Sequence, residues 1–319
     1  MIQLEPKYPL VGGFRKDFKP GFCWMNGKII DWMDANIHID TPTSRGEVIF
    51  EGIRGYWVPE EEQLYVWFLN EHLRRLFNSA KIRRMRIPYS FDEMKSALLE
   101  TIVSNEYKED TYVQPWVFRT FKYPYYTMEV TTGCCVFATP RARKFGDKQF
   151  TGIKAGISSW LRLPDIVSPS RAKCYGNYIG NTLADIDIKA SGFDAAIMLT
   201  LEGKVSEGTG DNIFIVREGK VITPSITQGI LEGVTRAFIL KAARDLGYDS
   251  CEREIDRSEL YVADEIFLCG TGTEIVPIIR VDTVDVGERG PITEKLQRTL
   301  YDAIRGKISK YKCHLTPAY

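Results

Sequence analysis

The segment SPSRAKCYGNY, residues 168–178, sets one lysine, Lys173, among small residues and places a tyrosine five positions after it. Most lysines of a soluble protein are solvated surface charges. An amine in such a setting is also the group that forms a Schiff base with an aldehyde cofactor. That chemistry makes further demands. The cofactor's phosphate must be anchored, its ring nitrogen kept protonated and its phenolic oxygen hydrogen-bonded. Residues of suitable type follow. Glu207, in KVSEGTGDNIF, stands beside Gly208 and Gly210, which let backbone come close to a flat ring. Thr235 follows Gly233 and Val234 at the start of a predicted helix, where free amides and the helix dipole attract an anion. Thr271, in CGTGTE, lies in a turn whose amides form a second anion cradle. Arg75, in EHLRRLF, falls mid-helix, where an arginine is ordinarily exposed. Singly, each has an ordinary structural explanation, so the elements around them decide.

Those elements mix strands and helices without strict alternation. Residues 21–32 read as two short strands around the turn signal Asn26-Gly27. VIFEGIRGYW (48–57) is a further apolar run, and LYVWF (64–68) closes a hairpin. NEHLRRLFNSAKIRRM reads as a helix capped by Asn70, with Leu73, Leu76, Phe77 and Ala80 on one face. SFDEMKSALLETIVSN repeats the pattern: Ser90 caps, Glu93 completes a capping box, and Met94, Ala97, Leu98 and Ile102 form the stripe. Residues 111–137 read as two strands around KYPYY. The polar, basic stretch 138–150, ATPRARKFGDKQF, reads as a linker between two α+β halves. In the second half GVTRAFILKAARDLGY is a helix stopping near Gly247, and EIFLCGTGTEIVPI is strand, glycine-rich turn, strand. The lack of GxGxxG after the first strand argues against a dinucleotide-binding fold.

Composition narrows the class. Of 319 residues, 44% are hydrophobic and 26% charged, an ordinary soluble globular balance. Lysine and arginine (42) equal aspartate and glutamate (42), so no positive excess draws the chain to nucleic acid or anionic lipid. The amino-terminal stretch lacks the apolar core of a signal peptide, and no apolar run reaches membrane-spanning length. Seven scattered cysteines without a CxxC pair predict reduced thiols and a cytoplasmic location. Cys134 and Cys135, adjacent on a strand, are expected to point to opposite faces.

Taken in order, AK…GNY, SEGTGDNIF, LEGVTR and LYVADEIFLCGTGTEI resemble the class IV aminotransferases, closest to the branched-chain amino acid aminotransferases. In the first half WMNGKIIDWMDANIHID, VIFEGIRGYW and EHLRRLFNSAKI resemble the same family's small domain. The resemblance runs over roughly residues 20–305. It implies a pyridoxal 5'-phosphate enzyme of α+β class with the two-domain, D-amino acid aminotransferase-like fold type IV. A small α/β domain would span 1–137, an interdomain linker 138–150, and a larger pseudo-barrel domain, carrying the lysine, 151–319.

The resemblance also implies roles. Lys173 holds the cofactor and shuttles the proton. Tyr178 bonds its phenolic oxygen, Glu207 pairs with the ring nitrogen, and Leu231 packs on the ring face. Arg75, Val234, Thr235 and Thr271 match the phosphate set, Val234 and Thr235 through backbone N–H groups, and Gly233 and Gly270 match cofactor-binding positions beside them. Phe50, Arg54, Tyr112, Gln114, Gly272 and Thr273 match substrate positions. Two positions depart from the family. Arg45 stands where a tyrosine is usual, on a loop that reaches a neighbouring subunit's site. Gln114 follows Tyr112 and Val113 where the branched-chain enzymes carry the arginine that meets an acceptor's side-chain carboxylate. The carboxylate clamp has therefore moved to Arg45, or to Arg141 or Arg143 in the linker, or the pocket takes substrates without that carboxylate. The expected activity is transfer of an amino group from a hydrophobic, branched-chain-like L-amino acid to a 2-keto acid. The alternatives are an (R)-selective amine or D-amino acid transaminase, and an aminodeoxychorismate-type lyase. The expected partners are the amino donor and the keto acid, and the expected assembly is a homodimer or a higher homo-oligomer.

Overall fold

The computed structural model describes residues 21–37, 46–120 and 131–319. Asn26 and Gly27 both take positive φ (48° and 94°), the conformation a two-residue hairpin turn requires. They join β1 (Phe22–Met25) to β2 (Lys28–Asp31), with Met25 opposite Lys28. The run VIFEGIRGYW is two strands, β3 (Val48–Phe50) and β4 (Ile53–Val58). Both pair with β6 (Thr111–Arg119) in one continuous register, Phe50 with Trp116 and Ile53 with Val113. The ladder lapses between them because Pro115 of β6 has no N–H to offer; it only accepts, from the Glu51 amide. β5 (Gln63–Trp67) completes the expected hairpin with β4.

Helix α1 spans Leu69–Ile82, starting two residues earlier than Asn70 as a cap would have it. Its N-cap is Phe68, in the left-handed conformation (φ 52°) and without a side-chain cap bond. Burial of the Phe68 ring among Trp67 and Phe238 outweighs the gain a capping Asn70 would bring. Helix α2 (Phe91–Asn105) starts as expected, with the Ser90–Glu93 capping box formed. Leu73, Leu76 and Ala80 of α1 and Met94, Leu98 and Ile102 of α2 are buried against the first sheet. β7 (Thr132–Pro140) pairs with β6 along its whole length, and the KYPYY tip lies outside the described residues. Cys134 packs on the helix side of that sheet and Cys135 on the other, as alternation requires, and all seven cysteines are free.

The stretch 138–150 carries more structure than a bare linker. β7 continues through Pro140, and the one-turn helix α3 (Lys148–Thr151) closes it. Then come β8 (Ile153–Ile157), α4 (Ile179–Ala190), β9 (Ala195–Leu199), β10 (Val205–Gly208), β11 (Asn212–Arg217) and β12 (Lys220–Pro224). Helix α5 (Val234–Asp245), β13 (Ser250–Arg253), β14 (Glu265–Gly270), β15 (Glu274–Val281) and β16 (Val284–Asp285) follow. Helix α6 (Pro291–Ile304) and β17 (Leu315–Pro317) end the chain.

Among the described residues the first sheet runs β17-β5-β4-β6-β7-β1-β2, with β3 beside β6. The second runs β10-β9-β8-β15-β14-β11-β12-β13, with β16 beside β15. The second is mixed: β8 lies parallel to β9 and β15, and β12 parallel to β13. This is an α+β fold. Tyr56, Trp67 and Phe68 of the first half share one buried cluster with Phe238 of α5 and with Leu296 and Leu300 of α6. That shared core sets the edge of one sheet against the helices of the other, and the site forms in the seam. No helix among the described residues is long and apolar enough to cross a membrane.

Candidate active site

The Lys173 segment is held by main-chain bonds before its side chain does anything. Its carbonyl accepts from the Phe50 amide (3.0 Å), and its own amide donates to Ser79 Oγ of α1 (3.0 Å). Lys173 Nζ then points into the seam and donates to Tyr178 Oη at 2.8 Å, with the Phe50 ring centre 4.6 Å away. Phe50 is itself stacked on Tyr175 at 4.0 Å, so the floor beneath the amine is rigid. Burial works against the charged amine, and Arg75 adds to that, but the oxygens of Tyr178, Glu51 and Tyr112 together outweigh them, and the amine is held above its ordinary value.

Around the amine the fold gathers most of the residues singled out by sequence. Tyr178, Glu207, Leu231 and Arg75 line one pocket with Lys173. Gly233, Val234 and Thr235 enter from the start of α5, and Gly270, Thr271 and Gly272 from the β14–β15 turn. Tyr112 of β6 and Gly52 close the first-sheet side; a side chain at Gly52 would place its Cβ 1.8 Å from the Tyr112 hydroxyl.

Glu207 is buried, not a solvated turn residue. Burial pushes its carboxyl up, and Arg162 (Nη2 to Oε1, 2.8 Å) and the Leu231 amide (3.1 Å to Oε2) pull against that rise. Asn212 Nδ2 donates to it as well, at 2.7 Å. That amide explains Gly233, where any Cβ would sit 1.9 Å from Asn212 Oδ1. Gly233 also caps α5 without a side-chain bond, which leaves the first-turn amides free toward the pocket. Arg75 is no exposed helix arginine. Its Nε and Nη2 donate to Glu51 at 2.6 and 2.8 Å, and its Nη1 to the Glu232 carbonyl at 2.9 Å. Burial raises the Glu51 carboxyl, yet Arg75 and His72 together hold it well below the ordinary carboxylate range.

The positions matched to substrate scatter more. Arg54 is buried, and its guanidinium is engaged with Glu274 Oε1 (2.8 Å) and with the carbonyls of Arg141 and Ala142. Thr273 donates to Asp211, whose other oxygen takes Lys144 Nζ at 2.8 Å. Gln114 points toward Tyr175. Arg143 lies 3.4 Å from Glu274 and over the Phe150 and Tyr301 rings. Arg141 lies over the ring of Tyr112, itself a pocket residue, at 4.5 Å, with no carboxylate partner among the described residues. Arg45 lies outside the described residues.

Sequence reasoning missed Glu51, His72, Arg162, Asp211 and Asn212. One signal was available for His72: it falls in the buried register of α1 with Leu69, Leu73 and Leu76, and a polar side chain there needs a partner. Arg162, in an irregular segment, carried no such signal.

The chain is similar to known proteins over most of its length. The Amino-transferase class IV family covers residues 48–281, and the chain belongs to that family. Its members are pyridoxal-phosphate enzymes, and the chain is an aminotransferase. A probable branched-chain-amino-acid aminotransferase of Aquifex aeolicus is 41% identical, spanning 95% of this chain and 99% of its own. The branched-chain-amino-acid aminotransferase of Pseudomonas aeruginosa is 38% identical over 92% and 96%. Among solved structures, the branched-chain aminotransferase of Thermoproteus uzoniensis with norvaline superposes with TM-score 0.90 at 39% identity, covering 94% of this chain and all of that one. The residues present fit the cofactor. Gly233 leaves room for the Asn212 amide beside Glu207, the α5 amides have no side-chain cap, and Lys173, the one lysine lining the pocket among the described residues, has its oxygen partner.

Proposed function

We propose that the protein transfers amino groups between a hydrophobic, branched-chain L-amino acid and a 2-keto acid. The observation that carries this reading is the buried Lys173 amine, 2.8 Å from Tyr178 Oη, in a chain 41% identical to a probable branched-chain enzyme. In this reading Lys173 attaches the cofactor, Glu207 faces its ring nitrogen, Tyr178 its phenolic oxygen and Leu231 its ring face. Arg75, the Val234 and Thr235 amides and Thr271 hold the phosphate. The cofactor, when bound, supplies the carbonyl that carries the amino group and the ring that draws electron density from the substrate's α-carbon. Lys173 Nζ would be the base that takes the substrate's α-proton and returns it, and the Phe50–Tyr175 stack keeps that nitrogen on one line of approach. Tyr112 and the Thr271–Gly272 turn orient the substrate's α-carboxylate.

Arg141 is our choice for the cation that meets an acceptor's side-chain carboxylate in place of the arginine absent at 114. It lies against Tyr112 and is free of a carboxylate among the described residues, whereas Arg143 is turned to Glu274. We place the enzyme in the cytoplasm as a homodimer. Ile179, Leu183 and Ile186 expose one apolar face of α4 beside exposed Trp160, Leu163 and Ile166, a patch suited to a second copy. The testing experiment mixes purified enzyme with single amino donors and follows the cofactor's absorbance as it accepts the amino group. Leucine, isoleucine and valine should discharge it fastest. A protein discharged only by amines lacking a carboxylate, or by D-amino acids, would not be this enzyme.

A further inference from the structure

We propose that His72 is a positioning residue of the phosphate cradle and takes up a proton when a phosphate dianion binds there. The proposal rests on the reading above that the phosphate lies between Arg75, the α5 amides and Thr271. His72 is buried in the middle of a chain of contacts that links those groups. Its Nδ1 lies 2.8 Å from Glu51 Oε2, and its Nε2 lies 3.4 Å from Thr271 Oγ1. Glu51 in turn accepts both inner nitrogens of Arg75. The carboxylate can only accept, so Nδ1 carries the ring's proton and Nε2 of the neutral ring is an acceptor. The Thr271 hydroxyl therefore directs its single proton at His72, away from the pocket it lines.

A second proton, on Nε2, reverses that bond. The imidazolium donates to Thr271 Oγ1, and the hydroxyl proton turns free to meet an anion. Electrostatics favours the change. The groups that face His72 are Glu51 from the β3–β4 junction, Arg75 one turn along its own helix, Lys173 from the segment before α4, and the Thr271 hydroxyl from the β14–β15 turn. Glu51 and Arg75 offset each other, so a dianion entering beside them meets little net positive charge apart from Lys173. Without an anion, burial first, then Arg75 and Lys173, hold His72 below its ordinary value despite Glu51, so the ring has a proton to gain. Anion and proton each favour the other's binding.

The chain has three histidines, so ¹⁵N-histidine spectra of the full-length enzyme resolved of cofactor are simple to assign, His72 by its loss in His72→Gln. Two probes are titrated. Pyridoxamine 5'-phosphate carries the phosphate but cannot form a Schiff base with Lys173; pyridoxamine lacks the phosphate. At pH 7.5, above the second phosphate pKa of about 6, the phosphorylated probe should move the His72 nitrogens from neutral to imidazolium, and pyridoxamine should not. The preference for the phosphorylated probe should weaken several-fold from pH 7 to 9 in the wild type, with an upper limit of about tenfold per pH unit. It should stay flat in His72→Gln. A ring that remains neutral with the phosphorylated probe bound overturns the role of His72 and leaves the phosphate site standing. A phosphorylated probe that binds no tighter than pyridoxamine overturns the phosphate site itself.

Discussion

Arg54 Nη1 lies 2.8 Å from Glu274 Oε1, joining β4 of the first sheet to the first residue of β15 in the second across 220 positions of sequence. Both side chains are buried. Arg54 Nη2 also donates to the carbonyl of Arg141 at 2.6 Å, and Tyr56 Oη donates to Glu274 at 3.2 Å. Glu274 takes positive φ (60°), so the turn that presents Thr271 to the pocket ends in a conformation the pair helps to hold. One guanidinium thus fixes the Thr271 turn and the segment that carries Arg141. Arg54→Met strands a buried carboxylate and should cost about 3–5 kcal/mol, a fall in melting temperature on the order of 10 °C. The double variant Arg54→Met/Glu274→Gln should lose less than the two single losses together. Strict additivity in the calorimeter would mean the two residues act independently.

Lys173→Ala should abolish transamination while leaving the melting temperature close to that of the wild type, because the lysine's main-chain bonds survive the change. Borohydride treatment of the wild type should fix the cofactor to Lys173 alone. Peptide mapping reads the result, and a label on another lysine removes Lys173 from its role.

Glu207→Gln keeps the shape of the group that meets Arg162 and Asn212 but removes its charge. Cofactor binding should persist, and proton abstraction should slow by about 2–4 kcal/mol in the barrier. Stopped-flow half-reactions measure this step directly. Rates equal to wild type would exclude Glu207 as the partner of the ring nitrogen.

Much of this was legible in the sequence where local signals agree. The Asn26-Gly27 turn, the Ser90–Glu93 box and the apolar stripe of α2 depend on neighbours a few residues away, and each formed as expected. Where tertiary packing decides, the reading slipped. Burying Phe68 moved the start of α1, and a proline in the facing strand broke the VIF…IRGYW run in two. In the pocket, the residues that line it were recognisable, but their supports were not. Glu51, His72 and Arg162 act through bonds to residues 19 to 199 positions away, and no local spacing encodes those.

Acid stability should report two of these supports. Glu51 is held below the unfolded carboxyl value of about 4.3, so its contribution is present above that pH and is lost as the pH falls further. His72 is held below the unfolded imidazole value of about 6.5, so its contribution is present above that pH and also fades on acidification. His314 shifts in the same direction, so a variant is needed to separate them. In the cofactor-resolved enzyme, His72→Gln should flatten the fall of melting temperature between about pH 6.5 and 5 and leave the steeper fall below it. A slope identical to wild type over that range would assign the loss to other groups.

The last prediction concerns the acceptor. Gln114 is turned toward Tyr175, and a dicarboxylic keto acid loses the partner its side-chain carboxylate usually finds at that position. Leaving that charge buried and unpaired would cost several kcal/mol, so a competent acceptor site needs another cation. Arg141 stands over the Tyr112 ring, its backbone pinned on both sides by the Asp110 carbonyl and by Arg54, with only its side chain left to move. Arg141→Ala should raise KM for 2-oxoglutarate by tenfold or more, about 1.4 kcal/mol or above, with little change in KM for leucine. Arg143→Ala, which removes a neighbour of Glu274, should lower the melting temperature more than it alters either KM. Arg45→Ala belongs in the same series, since its position matches a loop that reaches a neighbouring subunit. If Arg45→Ala alone raises the acceptor's KM, the clamp comes from the partner and Arg141 merely packs on Tyr112. If none of the three does, and (R)-1-phenylethylamine reacts readily, the pocket serves amines, and the branched-chain assignment should give way.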